Sequence, residues 1–437
     1  MHIGHAGPAE GLRAGAGGSD ATRVPDNAPG DADGLRQPLP GDGWSPLWTG
    51  LARVGGKLPP ARQPDGDPWA LLRGGGDASW RGRADGRLVG EFGERSAAVR
   101  PVFDALVPPQ GYRWWYVDAI SDDARYGLTI IGFIGSVFSP YYKSSGRGVP
   151  TDHNCLNIAL YGKGARWVMT ERGAGDTRQE RDALTIGPSA MRWDQDRLII
   201  DIEERDIRLG IPWRRRVTGQ IILHPEMLNT RSFKLDPQGK HHWQAIAPRA
   251  RIEVKLDAPD LSWNGSAYLD SNHGFEPIEA GFHSWHWSRA HIGQGTKSEV
   301  AVIYEGQRRD GSHFGSALRF DASGTPHEEE LPLVAPLPRT TWGMHRQTRA
   351  DRGHASVIKT WENSPFYART TVAARLFGTP VTAIQESISL NRLINPVVQF
   401  MLPYKMPREA GGGRNEGSGT GSREDAKTER MAARRSQ

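Results

Sequence analysis

The chain has 437 residues, which is long enough for two compact domains together with terminal tails. Its single cysteine, Cys155, excludes an intramolecular disulfide and any thiolate metal cluster. The formal net charge of +5 suits an anionic surface, but no nucleic-acid-binding motif accompanies it, so nucleic acid is not an expected partner. The longest apolar runs, 128–138 and 393–404, fall short of the roughly 20 residues that a membrane-spanning helix needs.

The two ends of the chain differ in composition from its middle. Residues 1–95 consist mainly of Gly, Ala, Pro, Asp and Arg, and they lack the apolar centre of a secretory signal. Such a segment buries too little apolar surface to offset its ordering entropy, so it is predicted to be mostly disordered. Residues 408–437 form a second polar tail, with both charge signs and the same expectation. The folded body is expected at 96–407.

Short strands recur throughout this body. Aromatic and β-branched runs at 112–121 and 126–138 are joined by a "DDA" turn, and similar runs follow along the rest of the body. Turn signals separate them at the spacing of about 8–12 residues that sandwiches and barrels show. Residues 94–106 alone have the periodicity of an amphipathic helix. The pattern predicts an all-β body, with barrels favoured over sandwiches.

Common cofactor and metal motifs are missing from the sequence. There is no P-loop, no dinucleotide fingerprint and no nucleophile elbow. Six histidines lie in one part of the chain: His241, His242, His273, His283, His286 and His291. None has the spacing of a metal-ligand motif, and the adjacent His241 and His242 would point to opposite faces of a strand. Neither a metal nor another cofactor is expected.

Protonatable and aromatic side chains are concentrated in the segment GSAYLDSNHGFEPIEAGFHSWHWSRAH. Strand alternation places Tyr268, Asp270 and Asn272 on one face, with Ala267 and Leu269 on the other. If the second pair packs in a barrel wall, the first three side chains face a lumen. Such a lumen would hold an acid among aromatic rings.

A carboxyl group in such a lumen would keep its proton. An apolar environment disfavours the charged form of Asp270, so its pKa rises and the group can protonate a weak base near neutral pH. His241 and Trp243 share a strand face that could meet it. The alternative is that Asp270 and Asn272 simply bond to the backbone of a turn.

Three long runs in the chain resemble the carotenoid 1,2-hydratases of phototrophic bacteria, also called hydroxyneurosporene synthases. They are WWYVDAISDDARYGLTIIGFIGSVFSPYYKSS, DHNCLNIALYGK and YLDSNHGFEPIEAGFHSWHWSRAH, and the similarity covers residues 95–407. The resemblance implies two consecutive lipocalin-like β-barrel domains, which we place at 96–279 and 280–407. It also implies cofactor-free addition of water across the terminal C1–C2 double bond of an acyclic carotene of the lycopene or neurosporene type.

The resemblance further implies that Asp270 is the proton donor, with His241, Trp243 and Tyr268 as supporting catalytic residues. Protonation at C2 of the alkene gives a tertiary cation at C1, which water captures. The rings of Trp243 and Tyr268 could stabilise that cation by about 0.5–2 kcal/mol each. His241 would either hold Asp270 protonated or orient the water.

Three further side chains are expected to contact the substrate. Trp285 and Trp287 share a strand face and would line the same passage, although core packing is the alternative for at least one of them. Asn272 shares the face of the proposed acid and is expected beside the substrate.

Two other classes of function fit parts of the pattern. A lipocalin-like protein could bind a carotenoid or another lipid without changing it. A buried acid at Asp270 favours the enzyme, because a passive binder has no use for one. A carbohydrate-active enzyme would pair Asp270 with Glu276 or Glu279, with carboxyl separations of about 5–5.5 or 6.5–9.5 Å.

The substrate's location predicts a membrane partner. Acyclic carotenes reside in the bilayer, so the protein is expected to be cytoplasmic and peripherally attached to the inner, photosynthetic membrane. Residues 210–219 set Trp213 beside three arginines, and residues 391–408 have an apolar centre between basic residues. The alternative is that 210–219 forms a barrel hairpin and 391–404 the closing strand of the second barrel.

Overall fold

The computed structural model describes residues 102–206, 215–293 and 298–409. Within these ranges nearly all regular structure is β-strand, arranged in three antiparallel sheets of twelve, seven and two strands. The all-β prediction is therefore confirmed. The tail predicted at 1–95, and the tail predicted at 408–437 beyond its first two residues, lie outside the described residues.

Twelve strands form the first sheet. They are β1 (Tyr112–Ser121), β2 (Gly127–Ile134), β3 (Asn154–Tyr161), β4 (Arg166–Arg172), β5 (Thr177–Gln179), β6 (Ala183–Ile186), β7 (Ser189–Asp194), β8 (Arg197–Asp206), β9 (Arg215–Pro225), β10 (Phe233–Lys234), β11 (His241–Ala258) and β12 (Leu261–Gly274). Their order is β4-β3-β2-β1-β12-β11-β9-β8-β7-β6-β5, with β10 paired to β11. The sheet curls until β4 contacts β8, where Arg172 donates two hydrogen bonds to Glu204. The result is a nearly closed, lipocalin-like barrel.

The second sheet follows along the chain and has seven strands. They are β13 (Phe282–Ile292), β14 (Glu299–Arg308), β15 (His313–Phe320), β16 (Pro326–Glu329), β19 (Ser356–Asn363), β20 (Tyr367–Leu376) and β21 (Thr379–Ser389). Their order is β16-β15-β14-β13-β21-β20-β19. The hairpin of β17 (Leu333–Leu337) and β18 (Arg346–Ala350) forms the third sheet. The chain thus changes sheets between Gly274 and Phe282, while the domain division at 279/280 stays a prediction.

Helices within the described ranges are short: α1 (Pro140–Ser144), α2 (Ile278–Gly281), α3 (Leu390–Leu393) and α4 (Pro396–Met401). No helix in this part of the chain is long and apolar enough to cross a bilayer. The alternative of a closing strand at 391–404 is wrong, because α3 and α4 occupy this segment and β21 pairs with β13 instead. Pro396 opens α4, with the Asn395 side chain accepting a hydrogen bond from the Val397 backbone.

Two other local expectations can be compared with the structure. The helix expected at 94–106 is wrong where the structure describes it, since 102–106 is irregular. There Phe103 enters the core of the first sheet, and its backbone N–H bonds to Arg181. Of the segment 210–219, residues 215–219 begin β9 as part of a hairpin with β8, and the remainder lies outside the described residues.

Strand β12 separates two environments. Ala267 and Leu269 enter the apolar core enclosed by the first sheet, which is filled by side chains from its own strands. Tyr268, Asp270 and Asn272 point the other way, toward the second sheet. The alternation is as predicted, but the polar face looks out from the first barrel rather than into its interior. The space that matters for function therefore lies between the two sheets.

Aromatic side chains from both sheets meet in that space. Tyr116 of β1 contacts Trp287 of β13 edge-on, with ring centroids 5.7 Å apart. Trp243 of β11 meets Tyr304 of β14 in the same manner at 5.5 Å. These contacts form one apolar cluster that contains residues of both sheets. Offset and edge-on aromatic pairs of this kind stabilise such a contact by about 0.5–1.5 kcal/mol each beyond their buried area.

Candidate active site

A cavity lies between the two sheets and is lined mainly by aromatic side chains. The first sheet contributes Trp114, Tyr116, Thr129, Ile131, Phe133, Asn157, Tyr161, Trp167, Met169, Asp270 and Asn272. Trp285, Trp287, Tyr304, Glu362, Tyr367, Glu386 and Ile388 come from the second sheet. The remaining wall is formed by Phe138, Ser364, Phe366, Leu402 and Met406. The cavity suits an apolar ligand whose end reaches a small number of polar groups.

Asp270 is held in this cavity by two neutral donors. Its Oδ2 accepts hydrogen bonds from Trp243 Nε1 and from the Tyr268 hydroxyl, both at 2.9 Å. Its Oδ1 is buried and has no protein hydrogen-bond partner in the described part of the chain. A buried carboxyl oxygen that makes no hydrogen bond lowers the stability of the folded protein unless a ligand or a water molecule bonds to it. Oδ1 is therefore the oxygen available to carry a proton toward a ligand.

The environment of Asp270 keeps its carboxyl group protonated in much of the population near neutral pH. Burial raises the pKa of Asp270 to about 7, although the hydrogen bonds from Trp243 and Tyr268 lower it and the carboxylate of Glu386 raises it. Burial is the largest of these effects because the carboxylate form has lost its solvent. A group with this pKa can act as an acid at neutral pH.

The structure brings six of the seven residues predicted for the site to the cavity or to its acid. Trp243 and Tyr268 contact Asp270, while Trp285 and Trp287 line the cavity together with Asn272. Asp270 itself is the sixth, on the predicted face of β12. The Asn272 Nδ2 atom lies 3.4 Å from the hydroxyl oxygen of Tyr304, so the Asn272 side chain contacts the second sheet.

His241 lies apart from the acid. Its Nδ1 is 2.9 Å from the Tyr112 hydroxyl, its Nε2 is 3.2 Å from Glu276, and its ring packs against Phe282. The structure shows no hydrogen bond between this ring and Asp270, which pairs with Ala245 further along β11. His241 therefore does not contact the acid but lies at the Tyr112 and Glu276 end of β11.

Sequence reasoning missed a second carboxyl group in the cavity. Glu386 of β21 lines it, and its Oε1 accepts a hydrogen bond from the Tyr116 hydroxyl at 2.6 Å and one from Arg369 at 2.5 Å. A signal was present: Glu386 alternates with Ile384 and Ile388, so an acid replaces an apolar residue on a buried strand face. Tyr116 could have been found in the same way from its alternation along β1.

The charge of Glu386 belongs to a balanced buried group. Arg369 forms ion pairs with both Glu386 and Asp118, and Arg289 forms a second one with Asp118. Two cations thus face two anions, all of them buried. Buried charges persist only when paired in this way. Asp270 differs, since its hydrogen-bond partners are uncharged.

The carboxylates expected in a sugar-cleaving pair with Asp270 lie elsewhere. Glu276 bonds to Lys240 and His241, and Glu279 to Arg147. Neither lines the cavity. The described residues also contain no group of three or more His, Cys, Asp or Glu placed to hold a metal ion.

Fold and site together define an all-β, lipocalin-like protein in which a buried carboxyl with a raised pKa faces an aromatic cavity. Residues 130–414 match the family model described as carotenoid hydratase CrtC. The chain belongs to this family, as the resemblance in its sequence indicated, and it is an enzyme of the hydro-lyase class.

Two relatives show the extent of the similarity. The acyclic carotenoid 1,2-hydratase of Thiocapsa roseopersicina is 45% identical over 387 residues, covering 87% of this chain and 94% of that protein. That of Rubrivivax gelatinosus is 46% identical over 414 residues, covering 91% and 100%. Among solved structures, kievitone hydratase from Nectria haematococca matches with a TM-score of 0.40 at 11% identity, covering 67% of this chain and 94% of that chain.

Proposed function

We propose that this protein adds water across the terminal C1–C2 double bond of an acyclic carotene of the lycopene or neurosporene type, giving a tertiary 1-hydroxy product. One observation carries the proposal: Asp270 is a buried carboxyl with a pKa near 7 whose Oδ1 has no protein partner, in a cavity of aromatic rings. An isolated alkene is a very weak base, so its hydration needs an acid that is protonated and shielded from water.

In the first step Asp270 gives its proton to C2. The π electrons form the new C–H bond, and C1 becomes a tertiary cation. The negative charge that develops on Asp270 falls on a carboxyl whose Oδ2 already accepts hydrogen bonds from Trp243 and Tyr268. Such prearranged donors stabilise the ion pair without reorganisation. The ring faces of Trp285 and Trp287, which also line the cavity, can stabilise the cation by about 0.5–2 kcal/mol each.

In the second step a water molecule donates a lone pair to C1 and then loses one proton. The sum of the two steps is alkene plus water giving alcohol. Because this sum changes no net oxidation state, the proposed reaction needs no electron acceptor, and we assign no cofactor to it.

The decisive experiment is incubation of the purified full-length chain with lycopene or neurosporene. We expect a hydroxylated product with the mass gain of one water for each reacted end, and the same product after dialysis against EDTA. Carotene that stays bound but unchanged would replace the proposal by the passive binding protein. A loss of activity rescued by a divalent ion would overturn its cofactor-free form.

The substrate resides in lipid, and we assign helix α4 and the turn after it to contact with the membrane, on the cytoplasmic side of the inner, photosynthetic membrane. Val397, Phe400 and Tyr404 recur at helical spacing and are 43%, 67% and 51% exposed. The inner side of the same segment supplies Leu402 and Met406 to the cavity wall. A carotene end that leaves the bilayer beneath α4 would therefore meet the cavity directly.

Vesicle co-sedimentation tests this contact. Phe400→Gln should reduce binding to anionic vesicles severalfold, because it removes a large exposed ring from the proposed interface. Leu333→Gln is a matched control, since Leu333 is 62% exposed on β17. Equal binding by the two variants, or no binding of the unmodified protein at low salt, would contradict the assignment and favour delivery of carotene by a partner protein.

A further inference from the structure

We propose that Glu386 holds the attacking water and accepts its proton, so that each sheet supplies one carboxyl group to the reaction. The inference rests on the proposed hydration and assigns its second step. It gives the second sheet a chemical part in a site whose acid lies on the first.

The position of Glu386 suits this role. It lies on β21 opposite Trp287, just as Asp270 lies on β12 opposite Tyr116. Both carboxyl groups line the same cavity, and the pKa of Asp270, raised mainly by burial, is raised further by the carboxylate of Glu386. A water between them would therefore be close to any cation that Asp270 creates.

The hydrogen bonds of Glu386 leave one oxygen for water. Tyr116 and Arg369 both donate to Oε1, at 2.6 and 2.5 Å. Within the described residues no hydrogen bond reaches Oε2. The carboxylate is thus fixed in orientation through one oxygen, and the other can accept a proton from a bound water, as a general base requires.

The two carboxyl groups are arranged for opposite tasks. Glu386 forms an ion pair with the fully buried guanidinium of Arg369. Asp270 has only neutral donors, Trp243 and Tyr268. One carboxyl group thus faces a cation and the other meets only neutral donors, which is the difference in surroundings that an acid and base pair shows.

The proton balance closes without another reactant. Asp270 gives one proton to C2, the water oxygen bonds to C1, and Glu386 takes one proton from that water. The proton on Glu386 then returns to Asp270 through cavity water. The hydroxyl groups of Tyr116 and Tyr268, whose rings lie 6.3 Å apart, are already bonded to the two carboxyl groups at either end of this path.

Glu386→Gln tests the base directly. Glutamine keeps a carbonyl oxygen for Tyr116 and Arg369 but cannot accept a proton from water, so we expect product formation to fall by about 10²–10⁴-fold. Carotene binding, followed by the absorption spectrum, should persist. The matched control is Glu362→Gln, since Glu362 also lines the cavity and accepts a hydrogen bond from a tyrosine, Tyr161, at 2.6 Å. Glu362→Gln should lose less of the rate of product formation than Glu386→Gln.

Chemical rescue separates a base from a structural role. Glu386→Ala leaves space for a small carboxylate, so added formate should restore part of the activity, and it should not do so for Glu362→Ala. If the Gln and Ala variants fail to fold, Glu386→Asp keeps the charge that Arg369 needs. If Glu386 is the base, moving its carboxylate back by one methylene should lower the reaction rate at least about tenfold. If the carboxylate only supports the fold, Glu386→Asp should keep its rate.

The outcomes distinguish this inference from the proposed function. If the unmodified protein hydrates carotene while Glu386→Gln retains its rate, or while Glu386→Ala loses activity without rescue by formate, Glu386 is not the base and the hydration stands. If the unmodified protein forms no hydroxylated product, the proposed function itself fails.

Discussion

The interior of the first sheet and the cavity between the two sheets are built from opposite faces of the same strands. On β12 Leu269 enters the interior, and its neighbour Asp270 enters the cavity. The interior is closed by apolar side chains such as Val117 and Ile130, neither of which is exposed. The cavity instead holds carboxyl groups among aromatic rings. One strand therefore stabilises the fold with one face and presents the proposed acid with the other.

The difference between the interior and the cavity shows how the protein can bury Asp270 without a charged partner. A carboxyl group among the apolar residues of the first interior would have no partner, and its burial would cost several kcal/mol. In the cavity Trp243 and Tyr268 bond to one oxygen of Asp270, and protonation removes its charge. Changes on the two faces should accordingly affect different properties, namely stability on one and reaction rate on the other.

The largest effect is expected from Asp270→Asn. Asparagine keeps the shape of the side chain and an oxygen for Trp243 and Tyr268, but it has no acid proton to transfer. Product formation should fall by about 10³-fold or more, within the range of general acid catalysis, with an unchanged unfolding transition at neutral pH or a raised one. Asp310→Asn, on an exposed turn, is the control. Near-normal hydration by folded Asp270→Asn would remove this residue from the acid role.

The neighbouring change on the opposite face should have the reverse result. Leu269→Ala creates a cavity in the interior of the first sheet, so the free energy of unfolding should fall by about 2–5 kcal/mol. The rate constant of the folded protein should change little. Ile358→Ala, at a side chain that is 57% exposed, should alter stability by less than about 0.5 kcal/mol. A large loss of rate in folded Leu269→Ala would show that the two faces are not independent.

A more moderate effect is expected from Tyr268→Phe. The ring remains, but Asp270 loses one of the two donors that stabilise its carboxylate, a hydrogen bond of about 1.5–3 kcal/mol when the acceptor is charged. Product formation should fall by about 10–100-fold. Because this hydrogen bond lowers the pKa of Asp270, its loss should also move the descent of the pH–rate profile to higher pH. A descent that moves to lower pH would contradict the assignment.

The smallest change is expected from a shift of one pH unit. Only the protonated acid is active, so the rate should fall about tenfold per unit as pH rises above about 7, the pKa of Asp270. The folded pKa lies above the ordinary value of about 4, so the folded state binds the proton more tightly than the unfolded state. The contribution of Asp270 to the free energy of unfolding is therefore greatest below a pH of about 4 and should decrease by up to about 1.4 kcal/mol per unit until about pH 7. Asp270→Asn should lack this slope, which equilibrium unfolding at several pH values can measure.

The strands and the two faces of each could be predicted from the amino-acid sequence. The aromatic and β-branched run at 112–121 predicted β1 at its observed bounds, Tyr112–Ser121, and strand alternation placed Tyr268, Asp270 and Asn272 together. These results follow from local physics, since side chains of a strand point alternately to its two faces whatever the rest of the chain does. The family resemblance was equally local, because it rested on continuous runs of residues.

The elements that each strand face contacts depend on the tertiary structure. The polar face of β12 was expected in the interior of the first barrel, yet it faces β13 and β21 of the second sheet. Glu386 joined the site, and His241 came to lie beside Tyr112 and Glu276 instead of the acid. Contacts between strands far apart in the chain depend on how the sheets curl and pack, and no local periodicity records that. Asp270 and Glu386 therefore come to line one cavity only when both sheets are in place.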